Sequence, residues 1–248
     1  MHAIDVIAID GPSASGKGTV AQRVAERLGF HYLDSGAIYR ACAHGARRAG
    51  INLDNAQAWE AAIAEIAGGM DLRFVGPTIL LANEDVGPIL RSEECGREAS
   101  KIAALPAVRK ALLQRQRDFR QVPGLVADGR DMGSVVFPDA RLKVFLTADV
   151  HERAKRRTAQ LAAVAKTAHG TESPNDPKGL IGKENSVNID ALFDTVLTDL
   201  RTRDERDSKR AVAPLAQLPD ARLLDTSGLS IEQAVEQVLA WYQGLRKS

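Results

Sequence analysis

At 248 residues, 44% of them hydrophobic and 26% charged, the chain is long enough for one large globular domain or a core with inserted lobes. Its formal net charge of +1 argues against a polyanion as general partner, so any basic site has to be local. There is no apolar run near the ~18 residues of a membrane span and no basic-then-apolar leader, and Cys42 and Cys95 stand without ligand-like spacing to each other or to the five histidines, which reads as a soluble cytoplasmic protein with reduced thiols.

In chain order, the first predicted strand covers residues 4–10 and runs straight into "GPSASGKGT". Gly11, Gly16 and Gly18 let the backbone fold into a tight loop whose successive N–H groups face one anion. A helix predicted over 17–28, with Val20, Val24 and Leu28 four apart, turns its positive end toward the same point. Lys17 adds a full charge suited to the β- and γ-phosphates of a nucleotide. Strand, glycines at the spacing Gly11-x4-Gly16, lysine and helix coincide, and together they mark a phosphate-binding loop. Where such a loop usually carries Ser or Thr after the lysine, this one has Gly18, with Thr19 one place later.

A short strand at 31–33 and a helix at 36–49 come next, and then the rhythm breaks. Residues 68–95 contain two short β-like runs around "GPT" and read as an inserted antiparallel patch. A helix over 107–121 leads to a strand at 125–128, at whose tip Gly129 frees the backbone and Arg130 and Asp131 emerge. The strand at 142–147 precedes a helix over 150–164 that carries Arg153, Arg156 and Arg157 at helical spacing. Residues 165–185, polar and rich in Gly, Pro and Asn, read as a mobile loop.

Beyond that loop, Ile189, Leu192, Phe193, Val196, Leu197 and Leu200 form one helical stripe. Continued at about 100° per residue, the same stripe takes in Arg203, Asp207 and Arg210, with Arg206 at its edge. A buried face that turns charged without turning away suits a cleft awaiting an anionic ligand. Two arginine-bearing helices joined by a loop suggest a flap that keeps water from a phosphoryl transfer. A strand at 222–225 and a helix at 230–244 close the chain. Continuous apolar strands alternating with helices predict an α/β fold, a parallel five-stranded sheet with helices on both faces.

Taken together and in this order, "IDGPSASGKGT", "YLDSGAIYR", "VADGRDMGSVVFPDA" and "RDERDSKRAVAPL" resemble the bacterial cytidylate kinases, the CMP/dCMP kinases of the nucleoside monophosphate kinase group. The resemblance implies a P-loop NTPase-type core made of residues 1–50, 96–150 and 213–248. It also implies an inserted monophosphate-binding lobe at 51–95 and a helical lid at 151–212, whose loop is longer here than in the commoner form. The phosphates of ATP would lie on Gly11, Pro12, Ser13, Ala14, Ser15, Gly16, Lys17, Gly18 and Thr19. CMP or dCMP would rest on Ser35, with Ser100, Arg109 and Asp131 around the cytosine ring. Arg40, Arg130 and Arg210 would take its phosphate, and Arg203 and Asp207 would lie near its sugar.

By the same resemblance, Arg153, Arg157 and Arg206 of the lid would meet the transferring phosphoryl group and join Lys17 and Arg130 in catalysis. Magnesium would enter with ATP, without a protein cage of its own, through Thr19 and waters. Nothing in the sequence demands more than a monomer, and no nucleic-acid or membrane partner is expected. Two other readings stand beside the family reading. Another small-molecule P-loop kinase would share the loop and lid but lack the set of Ser100, Arg109 and Asp131. An RNA-binding module would call for a larger positive charge, and for more than the 4% aromatic residues present for base stacking.

Overall fold

Residues 4–75, 78–169 and 189–247 are described by a computed structural model, in which the first apolar run becomes β1 (Val6–Asp10), buried at every position. Its side chains alternate: Val6 and Ala8 enter one core, Ile7 and Ile9 the other. A strand of this kind needs a layer on each face, and the rest of the chain supplies them. In order follow α1 (Lys17–Leu28), β2 (His31–Asp34), α2 (Ser35–Arg48), a 3₁₀ segment (Leu53–Trp59), α3 (Glu60–Gly69), β3 (Leu72–Val75), β4 (Thr78–Leu81), β5 (Glu84–Asp85) and the single turn α4 (Gly87–Leu90). Then come α5 (Glu93–Ile102), α6 (Pro106–Arg117), β6 (Leu125–Gly129), a π-helical turn (Met132–Val136), β7 (Leu142–Thr147), α7 (Val150–His169), α8 (Ile189–Ser208), β8 (Arg222–Asp225) and α9 (Ile231–Lys247).

The five-stranded sheet has the order β2-β6-β1-β7-β8, and all its pairs are parallel. One face carries α1 and α9, which meet it through Val20, Val24, Val235 and Val238. The other carries α2, α3 and α6 through Ile38, Ile63 and Leu112. The antiparallel sheet β3-β4-β5 packs Leu72 and Leu81 onto that second core. A third, smaller cluster of Ala154, Val196, Leu197 and Leu200 joins α7 to α8. Register sets the level of the strand tips: Asp10 lies opposite Gly129, and Asp34 opposite Asp128. Ligands of open α/β sheets sit at this carboxyl edge.

Helix starts follow local chemistry. The Asp34 carboxylate accepts from the Ala37 N–H at 3.0 Å to open α2, and the Ser92 hydroxyl accepts from the Cys95 N–H at 3.2 Å to open α5. Pro106 stands in the first turn of α6, where its missing N–H costs nothing.

The sheet and the antiparallel patch occupy the stretches where the sequence puts them, with β1 starting at Val6 rather than at residue 4. Three helices go beyond expectation, α3, α5 and the single turn α4. Of the loop predicted at 165–185, residues 165–169 are helical, because α7 continues through His169, and residues 170–185 lie outside the described residues. The helix expected to carry Arg210 stops at Ser208, so Arg210 sits on the segment that follows it.

The turn out of β1 has no spare room. A Cβ on Gly11 would lie 2.0 Å from the Leu146 carbonyl oxygen of the neighbouring strand. Gly11→Ala is expected to force β1 and β7 apart and to lower the unfolding free energy by about 1–3 kcal/mol, read from equilibrium urea unfolding.

Candidate active site

Between β1 and α1 the chain wraps into a loop with Gly16 at φ +90°, a conformation glycine takes without strain. The loop is tied from several sides. Ser15 Oγ donates to the Pro12 carbonyl at 3.0 Å, Thr226 Oγ1 to the Ser15 carbonyl at 3.1 Å, and Arg153 Nη1 to the Ser13 carbonyl at 3.1 Å. Lys17 Nζ folds back on the Pro12 carbonyl at 3.3 Å. Burial, with Arg130 next to it, holds its ammonium well below the usual lysine range, while Asp128 and Asp34 pull the other way. Burial and the nearby Asp34 push the Asp128 carboxyl up in turn.

The same carboxylate explains Gly18. A Cβ at that position would lie 3.0 Å from Asp128 Oδ2 and 3.6 Å from the Tyr32 hydroxyl. Asp128 and Tyr32 crowd the place a serine or threonine side chain would take. Thr19 is exposed.

In front of the loop opens a cavity of about 780 Å³, within the ordinary range of ligand pockets. It gathers residues that are far apart in sequence: Lys17 from α1, Arg40 from α2, Arg130 from the tip of β6, Arg157 from α7, Arg203 from α8 and Arg210 from beyond it. Ser35, Ser100, Arg109, Asp131 and Asp207 line it as well. Of the loop, residues 14–19 face this cavity. Ser13 faces a smaller one beside it, and Gly11 and Pro12 form the buried base.

So dense a set of cations is held by carboxylates. Arg130 Nε donates to Asp207 Oδ2 at 2.8 Å and its Nη2 to Ser13 Oγ at 2.7 Å. Arg210 lies 3.6 Å from the other oxygen of Asp207. Burial works against the Asp207 charge, yet the Arg130 and Arg210 guanidinium groups hold its carboxyl below the usual range. Burial, with Arg130 and Arg40 close by, draws Arg203 down to about 10. The buried Arg203 Nε and Arg210 Nη2 have no hydrogen-bond partner among the described residues. Donors left open in this way are suited to an anion from outside.

At the far end of the cavity Arg109 pairs with Asp131 at 7% and 4% exposure, and Arg109 Nη1 also donates to the Ala103 carbonyl at 3.2 Å. Two expected residues stand apart from the cavity. Arg153 spends its guanidinium behind the loop, on the carbonyls of Ala148 and Ser13 and on Asp204, 2.7 Å away. Arg206 donates to Ser100 Oγ at 3.0 Å, on the side of Arg109 rather than of Lys17.

Other residues, which apart from the lid arginine Arg156 carry no role in the sequence reading, also shape the site. Asp10 Oδ1 and Oδ2 accept from the N–H groups of Met132 and Gly133, each at 2.8 Å, fixing the segment next to Arg130 and Asp131. Burial pushes its carboxyl up to about 6 against those two bonds. Arg156 Nη2 donates to the Thr226 carbonyl at 2.6 Å, and both residues line the cavity together with Leu229, Ser230 and Ile231. Arg156 is marked in the sequence by its helical spacing with Arg153 and Arg157, the others only by their place near strand ends. Among the described residues no group of three or more His, Cys, Asp or Glu side chains is placed to hold a metal ion.

Comparison with known proteins points one way. The family described as "Cytidylate kinase" matches residues 7–172 and 182–244. The chain is 52% identical over 241 residues to a protein named cytidylate kinase from Bordetella bronchiseptica, covering 97% of this chain and 96% of that one. A protein of the same name from Chromobacterium violaceum is 52% identical over 97% of this chain and 96% of its own length. One from Azotobacter vinelandii is 50% identical over 95% and 93%.

The buried pair at the far end yields a stability prediction. Asp131→Ala strands Arg109 without a counter-charge and is expected to lower the unfolding free energy by about 3–5 kcal/mol in denaturant titration. The double variant Arg109→Met/Asp131→Leu, which removes both charges, is expected to recover most of that loss.

Proposed function

The chain belongs to the cytidylate kinase family, and we infer that it transfers the γ-phosphoryl group of ATP to CMP or dCMP, giving ADP and CDP or dCDP. One observation supports this above all: a single cavity joins Lys17 of the phosphate loop to Arg40, Arg130 and Arg210, and continues to the buried pair of Arg109 and Asp131. The donor would lie with its phosphates over residues 11–19, under the positive end of α1. The acceptor would lie across from it, its phosphate on Arg40, Arg130 and Arg210, its sugar by Arg203 and Asp207, and its base between Ser35, Ser100, Arg109 and Asp131. We read 51–95 as the monophosphate lobe and α7 with α8, within 151–212, as the lid.

The attacking group is a phosphate oxygen already ionised at neutral pH, so no side chain has to remove a proton. What the protein supplies is position and charge. Lys17, Arg130 and Arg157 would neutralise the phosphoryl group as it passes between two anions. Arg153, by its contacts, would serve the reaction by bracing the phosphate loop, and Arg206 by fixing Ser100. Magnesium arrives as Mg–ATP. With Asp128 against Gly18, the protein's hold on the metal would pass through Thr19 and water.

Base choice follows from hydrogen-bond polarity. Cytosine offers its 4-amino group to Asp131, and N3 and O2 to Arg109 and Ser100. Uracil would turn an oxygen toward the carboxylate, and a buried group left unpaired costs about 1–3 kcal/mol. The reading needs one copy of the chain and a cytoplasmic supply of nucleotides. No described helix is long and apolar enough to cross a membrane.

Two measurements test it. In a coupled assay with Mg–ATP, CMP and dCMP are expected to be used well and UMP and AMP poorly. Asp131→Asn is expected to shrink the CMP-over-UMP ratio of kcat/KM by about tenfold or more; an unchanged ratio would remove Asp131 from base recognition. Lys17→Ala is expected to keep its cooperative unfolding transition while kcat falls by about 10²–10³-fold, and near-normal turnover would rule out its role.

A further inference from the structure

Beside the main cavity lies a smaller one of about 110 Å³, between the phosphate loop, α5 and the lid helices. Five cations face it, Lys17, Arg40, Arg130, Arg157 and Arg203, and so do two carboxylates, Glu93 and Asp199. Asp199 is engaged with Arg97, 3.3 Å away. Glu93, in the first turn of α5, reaches across to the lid. Its Oε1 accepts from Arg157 Nε at 2.6 Å and from Arg157 Nη2 as well. The pair is only 25% and 27% exposed, which sets it apart from the open ion pairs of the surface. Gln160 Oε1 accepts from the remaining arm, Arg157 Nη1, at 3.1 Å.

Thus the lid arginine assigned to the phosphoryl group is already bound to an anion that belongs to the protein. Cations this close repel one another, and the Glu93 carboxylate relieves that repulsion while the chamber holds no phosphate. A phosphate entering the chamber satisfies the same donors and brings more charge. From then on Glu93 is a like charge next to it. We propose that Glu93 is an internal stand-in for phosphate, a positioning residue that holds Arg157 until nucleotide phosphates take the guanidinium from it. The proposal rests on the assignment of Arg157 made above. It follows that donor affinity is held below what the cations alone would give, because Mg–ATP must first displace a charged hydrogen-bonded partner.

The test is calorimetric titration of the full chain with Mg–ATP, without acceptor, for wild type, Glu93→Gln, Arg157→Met and the double variant. Glutamine keeps the acceptor oxygen and the shape but not the charge. Glu93→Gln is expected to tighten Mg–ATP about fivefold, with the gain shrinking as salt rises, and to lower KM for ATP more than it changes kcat. Arg157→Met is expected to weaken binding and to make Glu93→Gln silent in its background. If Glu93→Gln leaves affinity unchanged or weakens it while Arg157→Met still weakens it, the stand-in role is overturned and the arginine's role survives. If Arg157→Met does not alter affinity, the assignment beneath the proposal fails. A carboxylate that merely favours the start of α5 would lower the thermal midpoint of Glu93→Gln and leave the affinity unchanged, which also overturns it.

Discussion

Guanidinium groups stripped of water repel each other, and this molecule brings Lys17 together with arginines from α2, the tip of β6, α7 and α8 in one chamber. Such a crowd folds only if counter-charges come with it. The chain provides them residue by residue: Asp207 between Arg130 and Arg210, Asp131 under Arg109, Asp204 against Arg153, and Asp128 close to Lys17. What these do not cover is as informative as what they do. Arg203 Nε is buried with no partner among the described residues, and Arg210 Nη2 has no hydrogen bond beside its 3.6 Å ion pair with Asp207, a capacity suited to an anionic ligand.

The sheet makes that crowd possible, because strand register delivers the ends of β1, β2 and β6 to one level. A loop at the end of β1 then lies directly across from Arg130 and Asp131 at the end of β6. Asp10 locks the two together through consecutive backbone N–H groups. A displacement of the loop after β1 would therefore move the segment that carries Arg130 and Asp131. The two halves of the site share one mechanical support.

Legibility in the sequence depended on how local each signal was. The phosphate loop could be read because strand, glycines, lysine and helix follow each other within a dozen or so positions. The charged continuation of the α8 stripe could be read because helical periodicity is local too. The helix ends at Ser208, however, and Arg210 returns to the cavity only because Asp207 and the chain behind it hold it there. Helix α3, "EAAIAEIAGG", is too uniformly small and apolar for a stripe to stand out. Helix α5 had a legible start in Ser92 followed by two glutamates, but the β-like runs before it drew the reading away. The posts of Arg153 and Arg206 were not legible at all, since a guanidinium's partner across 140 or 106 positions leaves no trace in spacing.

Helix α1, whose first residue is Lys17, is covered by α9, which lies far along the chain from it. The rims of the two helices are tied as well, Arg27 to Glu236 at 2.8 Å and Arg23 to Glu232 at 3.3 Å. The outer face of α1 is thus packed by a distant segment and not by its sequence neighbours. Without α9 the loop that Lys17 closes would rest on a half-covered helix, so its shape depends on a contact between segments far apart in sequence.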